Sequence, residues 1–71
     1  MMFKRVRDLR EDHDYTQQQL ADRLYMARSV YRRYEAGERE IPTWVVLALA
    51  DLYNTSTDYI LGRTDRREPI K

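Results

Sequence analysis

Arg28, Ser29, Arg32 and Arg33 stand close together in the chain. At about 100° per residue they fall, with Ala36, on one side of a helix and leave Tyr31 and Tyr34 on the other. Guanidinium and hydroxyl groups so grouped hold anions and hydrogen-bond flat polar edges. None of the three arginines has an acid four residues away to pair with, so the face lacks the usual helical ion pairs. An unpaired cationic face points to an anionic partner outside the chain, and nucleic acid is the natural candidate.

Other reactive groups are sparse. There is one histidine, His13, and no cysteine. That rules out a disulfide framework and a thiolate zinc site, and no metal set or cofactor is implied. Asp8, Asp12 and Asp14 could suggest a carboxylate pair, but nothing supplies a nucleophile, a metal or a phosphate loop. They read as a solvated acidic patch, and the chain is expected not to be an enzyme.

The cationic face needs a helix to carry it and a core to hold that helix. The stretch from Thr16 to Gly37, TQQQLADRLYMARSVYRRYEAG, reads as two short helices joined by a tight turn at Tyr25-Met26-Ala27. Thr16 and Gln19 have the spacing of a capping box, which starts the first of the two. Gln17 then lies in the first turn, where free N–H groups favour anions. Leu20, Ala21 and Leu24 are expected in the core. The second helix runs from about Arg28 to Ala36, held by Tyr31 and Tyr34, and Gly37 ends it. Ala27 is a poor cap for it. Glu35 lies in its last turn, where the helix dipole disfavours an acid. It needs a cation, and Arg10 or Arg39 could supply one.

Before this stretch, residues 3–12 fit a first helix with Phe3, Val6 and Leu9 as a narrow apolar stripe, Lys4, Arg5 and Arg7 solvated, and His13 at its end. Tyr15 is expected to pack into the core. After it, Pro42 and Thr43 start a fourth helix, with Thr43 as the cap. Val46, Leu49, Ala50 and Tyr53 lie on one face; Trp44, Leu47 and Ala48 lie opposite. A helix apolar nearly all round is buried on two sides, so the second side needs cover from a fifth helix, from the tail or from another subunit. Thr55 or Ser56 caps that short fifth helix, which stops at Gly62. Residues 65–71 form a charged, frayed tail beyond a domain of residues 1–64.

With 71 residues, 42% hydrophobic and 35% charged, the chain makes one globular domain near the lower limit for independent folding. Two glycines and two prolines are too few turn-formers for an all-β fold. Net charge is only +1, but from Ile41 to Gly62 there is no lysine or arginine. One positive face and one neutral face follow. No apolar run approaches a membrane span, and a cytoplasmic protein is the expectation.

Taken together, Thr16-Gln17, Leu20-Ala21, Leu24, Arg28-Ser29, Tyr34-Glu35, Gly37, Arg39 and Pro42 resemble the helix-turn-helix family of phage repressors and Cro proteins, with its small Xre-type bacterial regulators. Leu49-Ala50, Tyr53-Asn54, Ser56, Asp58-Tyr59 and Leu61-Gly62 also fit, so the likeness covers residues 3 to about 64. It implies an all-α, compact five-helix, lambda-repressor-like DNA-binding domain with the helix-turn-helix at helices 2 and 3. The third helix would enter the major groove, making Ala27, Arg28, Ser29, Arg32 and Arg33 the base-reading set. Thr16, Gln17 and Arg39 become phosphate contacts. Arg10 and Glu35 become a structural ion pair. Apart from the likeness, the second apolar side of the fourth helix makes Trp44, Leu47 and Ala48, with Tyr59 and Ile60, the candidate dimer interface. Three positions depart from the family pattern: Tyr25 where glycine is usual, Ala27 where a serine or threonine caps, and Tyr31 where an aliphatic residue is common. The hydroxyl of Tyr31 must find a partner or reach the surface. One extra residue before Pro42 lengthens that connection.

The leading expectation is a sequence-specific double-stranded DNA-binding transcriptional regulator, a repressor, encoded by a bacterium or phage. It would act as a homodimer on a roughly palindromic operator. The alternative is a protein-interaction module, or an antitoxin-like partner, that keeps the fold and uses the Trp44/Leu47 face on a protein partner.

Overall fold

In the computed structural model, which describes residues 3–68, five helices follow one another: α1 (Lys4–Asp12), α2 (Gln17–Arg23), α3 (Arg28–Ala36), α4 (Thr43–Tyr53) and α5 (Thr57–Ile60). No strand occurs among the described residues. The all-α, five-helix expectation is met, and α2 and α3 are the helix-turn-helix pair.

Local chemistry sets the helix ends. Thr16 Oγ1 accepts from the N–H of Gln19 at 3.1 Å, and Gln19 Oε1 accepts from the N–H of Thr16 at 2.8 Å. This reciprocal box satisfies two donors that the first turn of α2 would otherwise leave open. At the far end of α3, Gly37 has φ 77°. The N–H groups of Gly37 and Glu38 return to the carbonyls of Tyr34 and Arg33 at 3.3 and 3.0 Å, closing the helix in a conformation that a Cβ would strain. Ser56, rather than Thr55, caps α5, accepting from the N–H of Tyr59 at 3.0 Å. The expected cap of α4 is one residue off. Thr43 is already helical and Pro42 holds the cap position without a side-chain bond, since proline's fixed φ suits an entry where no N–H is needed.

The core joins Val6 and Leu9 of α1, Leu20 and Ala21 of α2, Leu24, Tyr31 of α3, Val45, Val46, Leu49, Ala50 and Tyr53 of α4, and Tyr59 and Ile60 of α5. Tyr15 and Tyr34 pack partly buried against it. Two expectations about tyrosines need correction. Tyr31 is fully buried, yet its hydroxyl neither reaches the surface nor finds a hydrogen-bond partner among the described residues; the hydroxyl of Tyr53 is in the same position. Tyr59 and Ile60, expected at a dimer interface, are enclosed by the protein's own core.

Arg5 and the tail also differ from expectation. Arg5 is not a solvated residue: its guanidinium lies 4.1 Å from the centre of the Tyr59 ring. It donates to the carbonyls of Tyr59 and Thr64 and meets Asp65 at 2.6 Å. Arg67 bonds the Tyr59 hydroxyl at 3.0 Å and Asp12 at 2.8 Å. The described part of the tail therefore lies back across α1 and α5 instead of fraying. The rest of the tail, 69–71, is outside the described residues. Trp44 and Leu47 remain about half exposed, at 53% each, so neither α5 nor the described tail covers them.

Replacing Thr16 with alanine deletes one arm of the capping box. Unfolding stability should fall by about 1 kcal/mol, seen as a drop of roughly 4–8 °C in Tm by circular dichroism. An unchanged Tm would mean that the box does not hold α2.

Candidate nucleic-acid interface

The orientation of α3 follows from what its two sides meet. Tyr31 and Glu35 are buried, and Val30 and Tyr34 are half-buried. Arg28, Ser29, Arg32, Arg33 and Ala36 are all exposed, as is Ala27 at the helix entry. The five residues expected to read bases thus share one open surface.

Glu35 anchors the buried side. Arg10 Nε donates to Glu35 Oε2 and Arg10 Nη2 to Glu35 Oε1, both at 2.9 Å. This two-bond fork is the strong form of such a pair. A third donor of the same guanidinium, Nη1, reaches the carbonyl of Tyr15 at 2.9 Å. Gln17 Nε2 adds a longer bond to Glu35 Oε1 at 3.3 Å. Between Arg10 and Arg39, then, Arg10 supplies the cation. Burial by itself would push the Glu35 carboxyl up, but the hydrogen bonds and charge of Arg10, helped by Gln17 and the neighbouring phenol of Tyr31, hold it below the usual range. The Tyr31 phenol lies beside Glu35 without meeting hydrogen-bond geometry, and burial pushes its own pKa up. The fork with Glu35 holds the Arg10 guanidinium above its ordinary value.

On the open side, Arg28 and Arg33 make no ion pair among the described residues. Arg32 does: its Nη1 lies 3.3 Å from Glu38 Oε2. The sequence reading missed this acid because it lies six residues on, beyond the turn at Gly37, where an i±4 search does not reach. Both partners are half exposed, so the bond contributes little and exchanges readily for another anion.

The expected phosphate contacts are placed unevenly. Thr16 is exposed, and its oxygen is engaged in the capping box while its O–H stays available as a donor. Gln17 is half-buried and bonded to Glu35, so only part of its amide is open. Arg39 is exposed and forms no ion pair among the described residues. A groove of about 340 Å³ lined by Arg7, Arg10, Gln17, Arg32, Glu35 and Ala36 runs beside α3. Arg7, read earlier only as a solvated residue, is exposed and forms one wall, paired with Glu11 at 3.3 Å. Its place there depends on how α1 packs across α3, which no local pattern encodes.

No group of metal-ligating side chains occurs among the described residues. No helix among them is long and apolar enough to cross a membrane.

The model of the helix-turn-helix family matches residues 6–60. The chain is 44% identical over 69 residues to an uncharacterised HTH-type transcriptional regulator, YobD, of Bacillus subtilis (strain 168), covering 97% of this chain and 62% of that protein. It is 37% identical over 62 residues to the HTH-type transcriptional regulator ImmR of the same organism, covering 87% and 49%. It is 35% identical over 68 residues to the HTH-type transcriptional regulator AnsR, also of that organism, covering 96% and 59%. The chain thus spans about half to three-fifths of the length of these relatives. No solved structure matches it.

Arg10→Ala leaves the Glu35 carboxylate buried without its cation and should destabilise the fold by about 3–5 kcal/mol in urea unfolding. Arg10→Met with Glu35→Leu should recover most of that loss. The Glu35 carboxyl is held below its unfolded value of about 4.3. Its stabilisation is therefore present above that pH and lost as the pH falls through the lower folded value. Stability measured from pH 7 down to pH 2 should show this acid-sensitive component in the wild type and not in the double variant. Equal acid sensitivity in both would remove Glu35 as its source.

Proposed function

The chain belongs to the helix-turn-helix family, and we propose that it is a sequence-specific double-stranded DNA-binding transcriptional regulator acting as a repressor. One observation carries this reading. The exposed face of α3 bears Arg28, Ser29, Arg32 and Arg33, while its opposite face is locked inward by Tyr31 and by the Arg10–Glu35 fork. A helix held so firmly by one side presents the other at a defined angle, which reading base edges requires.

In this reading α3 lies in the major groove. Arg28 and Arg33, without ion pairs among the described residues, are suited to bond guanine O6 and N7 with two parallel donors. Arg32 exchanges Glu38 for DNA. Ala27, at the helix entry, meets a thymine methyl, and Ser29 hydrogen-bonds a base edge. Arg39, the Thr16 hydroxyl and the open part of the Gln17 amide contact phosphates, which set register without reading sequence. The bacterial or phage-encoded protein works in the cytoplasm.

The second copy is placed on the face of Trp44, Leu47 and Ala48. Support for this comes from the 53% exposure of the first two and from an adjoining cleft of about 450 Å³ lined by Phe3, Ile41, Val46, Leu47 and Leu61 among others. Exposed apolar side chains beside an apolar cleft favour association. A homodimer would read a roughly palindromic operator with half-sites about 34 Å apart. The same face supports a second reading, an interaction module with a protein partner.

Selection from a randomised duplex library, followed by anisotropy titration at several salt concentrations, tests the proposal. An enriched palindrome whose affinity falls steeply with salt supports it through counterion release. No enrichment with only weak, salt-sensitive binding would point to a partner-dependent regulator, and no binding at all would transfer the function to the Trp44 face. Arg33→Ala should weaken operator binding by about 1–3 kcal/mol and relax the choice of base at one position. Arg39→Ala should weaken all duplexes alike and lower the salt slope by about 1. Trp44→Ala with Leu47→Ser should give a folded monomer by analytical ultracentrifugation; a wild type already monomeric at high concentration removes the interface.

A further inference from the structure

Among the described residues, three other than glycine have left-handed backbone: Asp14 at φ 58°, Tyr25 at φ 56° and Asn54 at φ 51°. Aspartate and asparagine tolerate this region because their short polar side chains bond the local backbone. A bulky aromatic side chain does not, and there the conformation is a true outlier. Packing would be the ordinary compensation. Tyr25 has none, being 96% exposed. Its hydroxyl makes no hydrogen bond, and its ring pairs with no aromatic or cationic group among the described residues.

The turn does not need the side chain either. The N–H of Tyr25 bonds the carbonyl of Asp22 at 3.2 Å, and the N–H of Met26 bonds that of Ala21 at 3.0 Å. A glycine would close the same two bonds without strain. Strain that the fold itself does not use is a mark of function. The position says which function: Tyr25 lies on the junction that leads directly into Ala27, Arg28 and Ser29, all exposed. The apolar cleft beside Leu47 draws no residue from this turn.

We propose that Tyr25 is a DNA-backbone contact, its phenolic O–H donating to a phosphate oxygen at the edge of the groove that α3 occupies. This rests on the reading of α3 as the groove helix. Tyr25 and Arg28 are both exposed, and Arg28 forms no ion pair among the described residues; tyrosine is among the side chains that bond DNA phosphates. With two side-chain torsions to fix, the ring orders at little entropic loss. The glycine that would relax the turn would also remove the contact, so the strained residue serves binding and not folding.

The test compares full-length wild type, Tyr25→Phe and Tyr25→Gly, with Arg33→Ala as the benchmark. Each is titrated by anisotropy against the selected duplex and a scrambled one, and each is melted. Tyr25→Phe should keep the wild-type Tm and bind both duplexes more weakly by the same factor, roughly 10- to 150-fold for one hydrogen bond to a charged group. Tyr25→Gly should melt higher and bind at least as weakly. Unchanged binding by Tyr25→Phe, with Arg33→Ala weakened, overturns the contact and leaves the reading of α3 standing. Weakening on the selected duplex alone overturns a phosphate contact in favour of base reading. A wild type that binds no duplex overturns both.

Discussion

The fold and its exposed face both depend on the fork between Arg10 and Glu35. A carboxylate this deeply placed would be expelled or protonated without a partner. The guanidinium that satisfies it also takes the carbonyl of Tyr15, so one side chain ties α1, the connection into α2 and the last turn of α3 together. Gln17 at the start of α2 closes the ring. Replacing such a pair with well-packed apolar residues often stabilises a protein. What apolar residues would not supply is direction. A fork accepts its partner in one plane and at one angle, which fixes the roll of α3 about its axis and so decides which arginines face outward.

Much of this was legible in the residues themselves. The Thr16/Gln19 box, Gly37 after α3, and the apolar sets of α2 and α4 are local signals, and local hydrogen bonds or helical periodicity decide them. The need of Glu35 for a cation could be read from its place in the last turn of a helix, because the dipole there is a general property. The choice of Arg10 over Arg39 needed the family resemblance, since it depends on how α1 crosses α3.

The failures share a cause. Arg5 reads as a solvated helical arginine until the chain after α5 returns to meet it. Tyr59 and Ile60 read as surface until that same return and the packing of α4 on α5 enclose them. Val45, on neither assigned face of α4, is fully buried because that helix is covered over a wider arc than one stripe. The partner of Arg32 lay past a chain reversal, outside the reach of any helical spacing rule. Contacts made across turns are where sequence patterns lose information, and most of the corrected residues sit on them.

The length of α3 carries a consequence of its own. Nine residues at 1.5 Å each make a rod of about 13 Å, close to the roughly 12 Å width of the major groove. Laid in such a groove, as proposed for it, it would sample only about four base pairs at 3.4 Å each. A four-letter word recurs on the order of every few hundred base pairs, against a genome of about a million or more competing positions. On the proposed reading, one copy of this domain would hold too little information to find an address. Selectivity would then have to be multiplied, by a second copy at a fixed spacing or by DNA whose shape adds letters that no side chain touches.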